Sequence, residues 1–87
     1  MKSVEIRLST IADVRDFVNI VSATDIDVDL SSGRYIVDGK SIMGIFTLDR
    51  EQPIELIADT ADENLLAQLS RAIDRFLYKP VHYGAGA

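Results

Sequence analysis

Apolar and polar positions along the chain change rhythm several times, and each change marks an element. Residues Ser3 to Leu8 alternate, with Val4, Ile6 and Leu8 on one side and Ser3, Glu5 and Arg7 on the other. That is the pattern of a strand with one wet face. From Ser9 the period lengthens. Ile11, Val14, Phe17, Val18 and Val21 share one helical face, while Asp13, Arg15, Asp16 and Asn19 lie mainly off it. Thr10 followed three residues later by Asp13 matches a capping box, so the helix is predicted to start there.

Period two returns at Ile26, Val28 and Leu30, set against Asp25, Asp27 and Asp29. Ser31 to Gly33 reads as a hairpin turn, and Arg34 to Asp38 as its second strand. Ser41 then stands where it could cap a short helix through Leu48. Ile45 and Leu48, three apart, can share a buried side. Ile42, Met43 and Phe46 cannot all join them without making the helix apolar all round, so some should be exposed. The stretch from Pro53 to Asp59 is a further strand that tolerates a missing donor at its first residue. The last helix begins at a second predicted capping box, Thr60 with Glu63, and carries Leu66, Leu69, Ile73 and Phe76 as its buried stripe. Arg75 and Lys79 suit the negative end of its dipole, and Pro80 should stop it.

The order strand, helix, strand, strand, short helix, strand, helix needs a two-layer α+β packing, one sheet with helices on a single side. A single domain is expected over residues 1–79, with 80–87 a disordered tail. The net charge is −5 and the Lys and Arg residues are scattered, which argues against nucleic acid as a partner. With no cysteine there is neither a disulfide framework nor a thiolate site, a composition that fits a reducing, cytoplasmic setting. No membrane span or leader peptide is visible.

Candidate chemistry is sparse. Asp25, Asp27 and Asp29 resemble the start of a calcium loop, but the required glycine and glutamate positions hold Leu30 and Ile36. No metal and no cofactor is expected. His82 is the only histidine and has no neighbour to orient it for acid–base or phosphoryl chemistry. No Ser/His/Asp set, paired carboxylates or phosphate-cradling glycine loop can be assembled, so an enzyme is not expected. Ser41 is the exception. A hydroxyl at a helix start caps an amide, and the same place welcomes a phosphate. The apolar residues beside it, methionine above all, would suit a docking patch.

The segment GKSIMGIFTL, Gly39 to Leu48, resembles the regulatory-serine segment of HPr, the histidine-containing phosphocarrier of the sugar phosphotransferase system. The element order is similar to the family's four-stranded antiparallel open-faced sandwich. The resemblance implies that Ser41 stands at the kinase-modified serine. It also implies that Ile42, Met43 and Phe46 stand at exposed docking positions, and Ile45 and Leu48 at buried ones. The family's phosphoacceptor motif, a histidine with an arginine two residues on and then a proline, falls at Thr10, Ala12 and Asp13. Thr10 brings no nitrogen nucleophile, Ala12 no guanidinium, and Asp13 places a carboxylate where phosphate would sit. Arg15 points too far around the helix to substitute. In lacking the histidine the chain is similar to catabolite-repression HPr.

The expectation is therefore a non-enzymatic, bacterial HPr-like module that binds a protein partner, a kinase or regulator related to the phosphotransferase system, with Ser41 as a phosphorylation switch. The alternatives are a phosphoryl relay through Thr10 or His82, and a purely structural domain or subunit.

Overall fold

The computed structural model describes residues 2–78. Its elements run β1 (Lys2–Ile6), α1 (Ile11–Ser22), β2 (Asp27–Ser32), β3 (Tyr35–Asp38), α2 (Ile42–Phe46), β4 (Ile54–Asp59) and α3 (Glu63–Ala72), closed by a 3-10 turn at Asp74–Phe76. The strands form one antiparallel sheet in the order β1-β4-β2-β3. This is the open-faced α+β sandwich expected from the pattern of elements.

Period-two alternation sends one set of strand side chains to each face. Ile6, Val28, Leu30, Ile54, Leu56 and Ala58 meet the helices' Val14, Phe17, Val21, Ile45, Leu69, Ile73 and Phe76 in one buried core. Register keeps the apolar rows together, with Leu56 opposite Leu30 on β2 and opposite Val4 on β1. A one-residue slip would turn every one of these side chains to the wet face. Phe17 and Phe76 meet edge to face with centroids 5.8 Å apart, tying α1 to the chain after α3. Such a geometry adds about 1 kcal/mol beyond the area buried.

The β2–β3 connection is the two-residue loop Gly33–Arg34, and Ser31 and Ser32, expected in the turn, belong to β2. Gly33 has φ 60°. Hairpin turns that match strand twist ask for this left-handed region at the first loop position, where glycine carries no Cβ penalty.

Two expectations are corrected at α3. Its N-cap is Asp62, whose carboxylate accepts from the Asn64 and Leu65 amides at 2.9 and 3.2 Å, and not Thr60 paired with Glu63. Asp is the stronger cap, and the Thr60 hydroxyl is engaged in accepting from the Asp62 amide at 3.1 Å. The helix also ends at Ala72, well before Pro80. Beyond it the chain tightens into the 3-10 turn and joins the edge of β1. The Arg7 amide donates to the Phe76 carbonyl at 2.7 Å and the Tyr78 amide to Glu5 at 2.9 Å. Ending the helix early lets Phe76 stay in the core while the backbone satisfies β1. Lys79, Pro80, His82 and the expected tail lie outside the described residues.

Ile11 is corrected as well. It was expected on the buried face of α1, yet it is 66% exposed. Val14, Phe17 and Val21 centre the buried face. Ile11 lies seven residues before Val18, so the two share a margin of that face, where Val18 is only half-buried.

Candidate functional site

Two places carry candidate chemistry, the start of α1 and the segment around Ser41. At the start of α1, the predicted capping box is present. The Asp13 amide donates to Thr10 Oγ1 at 3.0 Å, and the Thr10 amide donates to Asp13 Oδ2 at 3.4 Å. The other Asp13 oxygen accepts from Arg75 Nη1 at 3.0 Å, while Arg75 Nη2 reaches Asp16 Oδ2 at 2.9 Å. Arg75 also lies over the Phe76 ring, 4.0 Å from its centroid. A single guanidinium therefore joins two carboxylates of α1 and is held in place by an aromatic face.

The electrostatics follow from that contact. The Arg75 hydrogen bond holds the Asp13 carboxyl below the usual carboxylate range, outweighing the opposing effect of burial, and the Thr10 contacts add to it. The positive end of α1 already faces an anion belonging to the chain itself. An incoming phosphate would have to displace a carboxylate that is capping the helix and paired with arginine. Ala12 is exposed and brings no polar group to help it.

Arg75 was not read from the sequence as part of this site. Its position near the end of a helical pattern pointed to a dipole role, and the contact it makes spans 62 residues. Local spacing carries no signal for such a partner.

At the second place, Ser41 is the N-cap of α2. Its Oγ accepts from the Gly44 amide at 3.1 Å, and the Ile45 amide donates to the Ser41 carbonyl at 3.0 Å. The cap is supported from below. The Lys40 amide donates to Asp38 Oδ1 at 2.9 Å, the Ser41 amide to the Asp38 carbonyl at 3.0 Å, and Lys40 Nζ to the Thr24 carbonyl at 2.9 Å. Gly39 is buried against β2, and a Cβ there would stand 2.8 Å from Val28 Cγ1 and 2.9 Å from the Val28 carbonyl oxygen. Gly44 keeps the serine clear as well, since a Cβ on it would lie 3.1 Å from Ser41 Oγ.

The apolar residues divide as their spacing implied. Ile45 and Leu48 are buried, and Met43 is 72% exposed. Ile42 and Phe46, placed by the resemblance at exposed docking positions, are instead half-buried and pack against the core, Phe46 beneath the Arg50 guanidinium at 5.1 Å. The displayed surface is thus one methionine flanked by the partly accessible edges of two larger side chains. Among the described residues, no cluster of His, Asp and Glu side chains could hold a metal, and no helix is long and apolar enough to cross a membrane.

No family model and no curated protein matches the chain. Solved structures do. The crystal structure of HPr-C-His from Thermoanaerobacter tengcongensis aligns with a TM-score of 0.67 at 26% identity, over 85% of this chain and 92% of that one. The fold is HPr-like. A phosphocarrier protein HPr from Bacillus anthracis str. Ames aligns with a TM-score of 0.57 at 25% identity, over 82% of this chain and 92% of its own. The HPr-like chain is therefore related in fold to phosphocarriers.

Proposed function

We propose that this HPr-like chain is a non-enzymatic regulatory module of the bacterial cytoplasm, which binds a protein through the surface around Met43 and is switched by phosphorylation of Ser41. The observation that carries the reading is the contrast between the two sites. Asp13 and Arg75 occupy the start of α1 with an ion pair, while Ser41 and Met43 leave a hydroxyl beside an exposed apolar side chain. Kinase transfer of the terminal phosphoryl group of ATP to Ser41 Oγ, with loss of the hydroxyl proton and release of ADP, would add about −1.5 to −2 charge next to Met43. A charge there changes which partner surface fits, because a desolvated apolar contact disfavours an unpaired dianion.

The contacts of Ser41 support a switch that leaves the fold intact. Its backbone amide and carbonyl are held independently of Oγ, so modification would disturb one capping bond and not the loop. The partner is a kinase or regulator related to the phosphotransferase system. Incubation with an HPr kinase and ATP, followed by intact mass, tests the reading. One phosphate is expected on the wild type and none on Ser41→Ala. Absence of phosphate on the wild type, or its persistence in the variant, would overturn the switch.

A further inference from the structure

The sheet has a second surface, on the side away from the helices, and its charges are arranged against the stability of the fold. Residues paired across neighbouring strands share a face, and three such pairs are like-charged. Glu5 stands opposite Glu55, Asp27 opposite Asp59, and Asp29 opposite Asp38. All six are exposed. Directly opposed like charges destabilise a sheet, and no lysine or arginine occupies a strand position on this face. Along the strands the face therefore presents negative charge to whatever approaches it, with Arg7 just past the end of β1.

The edge of the same surface is open. β3 is the last strand in the order, and among the described residues nothing pairs with its outer side. The Gly39 amide donates to the Val28 carbonyl at 2.6 Å, which fixes the phase of the β2–β3 ladder. Alternation then makes Val37 and Tyr35 the inward-bonded positions, and it turns the amide and carbonyl of Ile36 and the amide of Asp38 outward. Ile36 and Asp38 are also the β3 residues whose side chains lie on the acidic face, and Ile36 is 65% exposed. Proteins usually guard such an edge with lysine, proline or a bulge. β3 is short, at four residues, and its one charged residue is Asp38, but it has no lysine or proline and its register with β2 runs without a bulge.

We propose that the outer edge of β3 receives an extended, lysine- or arginine-rich segment of another protein as a fifth strand. Main-chain bonds to Ile36 would hold it, with alternate cationic side chains over Asp29 and Asp38. The intervening side chains would fall beside Tyr35 and Val37 and so be apolar. Backbone pairing supplies affinity and the alternate side chains supply selectivity, as in other strand-addition complexes. A second copy of this chain is a poor occupant. Pairing β3 with β3 would join two acidic faces and set Asp38 of each copy into the other's field.

The test uses the full chain and a capped peptide of about eight residues alternating Lys and Val, followed by amide chemical shifts and hydrogen exchange. The Ile36 and Asp38 amides should shift most, and exchange at Ile36 should slow on binding. Asp29→Asn with Asp38→Asn should weaken binding about two- to fivefold, since partly exposed charge pairs contribute modestly. Asparagine keeps the acceptors that Lys40 and Ser41 use, so the loop should remain folded. Methylating the peptide's backbone nitrogens that face β3 should abolish binding. Three results would overturn the proposal: shifts across the face without protection at Ile36, equal binding by a Glu–Val peptide, or self-association of the chain without peptide.

Discussion

Replacing Asp13 with asparagine isolates the charge at the start of α1 from its capping geometry. The amide oxygen can still accept from Thr10, so the helix keeps its box, while the helix dipole loses its anion and Arg75 keeps only Asp16 of its two carboxylates. The Asp13 side chain is 25% exposed and Arg75 54%, so water screens the pair appreciably. For a contact of that exposure the ion pair contributes about 0.2–1 kcal/mol, and the dipole about 0.3–1 kcal/mol. Asp13→Asn should thus lose roughly 1 kcal/mol at neutral pH, which lowers the melting temperature of a domain this size by about 4–8 °C. The pH dependence gives the sharper test. The folded carboxyl is depressed below its ordinary value of 3.8. Its contribution is therefore complete above that value and is lost as pH falls through the folded value. Thermal melts of wild type and Asp13→Asn should differ more at pH 7 than at pH 2. A gap of the same size at both pH values would refute the electrostatic origin, and no gap at pH 7 would refute the pairing with Arg75.

The other expectations concern the Ser41 segment. Ser41→Ala removes the α2 cap at Gly44 and should cost about 1 kcal/mol in urea denaturation. Gly39→Ala forces a Cβ into the Val28 backbone and should cost about 1–3 kcal/mol by the same assay, with the β2–β3 amides the most perturbed. Met43→Asp changes an exposed side chain, so stability should stay within about 0.5 kcal/mol while capture of a partner in a pull-down is lost. Unchanged capture would count against the docking surface.

Where local pattern determined structure, the sequence was legible. Alternation at Ile26, Val28 and Leu30 and the helical stripe at Val14, Phe17 and Val21 fix which face each element buries, and that leaves few two-layer packings. The Thr10 box and the Ser41 cap were readable because capping is a contact between near neighbours. The start of α3 was misplaced since Thr60 and Asp62 are both good caps, and spacing alone does not choose between them. Its end was misplaced because the stripe through Ile73 and Phe76 fits a helix equally well. The pull that breaks the helix comes from β1, far away in sequence. Arg75 went unread for the same reason, and Ile11 because a margin position on a helix is settled only by what packs beside it.

The most direct test offers the chain phosphate by the route that phosphocarriers use. Incubation with the phosphorylated first enzyme of the sugar phosphotransferase system, then intact mass and fragment mapping at neutral pH, reads whether the start of α1 accepts a phosphoryl group. With the Asp13 carboxylate capping that helix end and paired with Arg75, no adduct should appear on residues 10–13. A stable phosphoryl group on Thr10 would contradict the account of an occupied helix end and return the chain to the relay class.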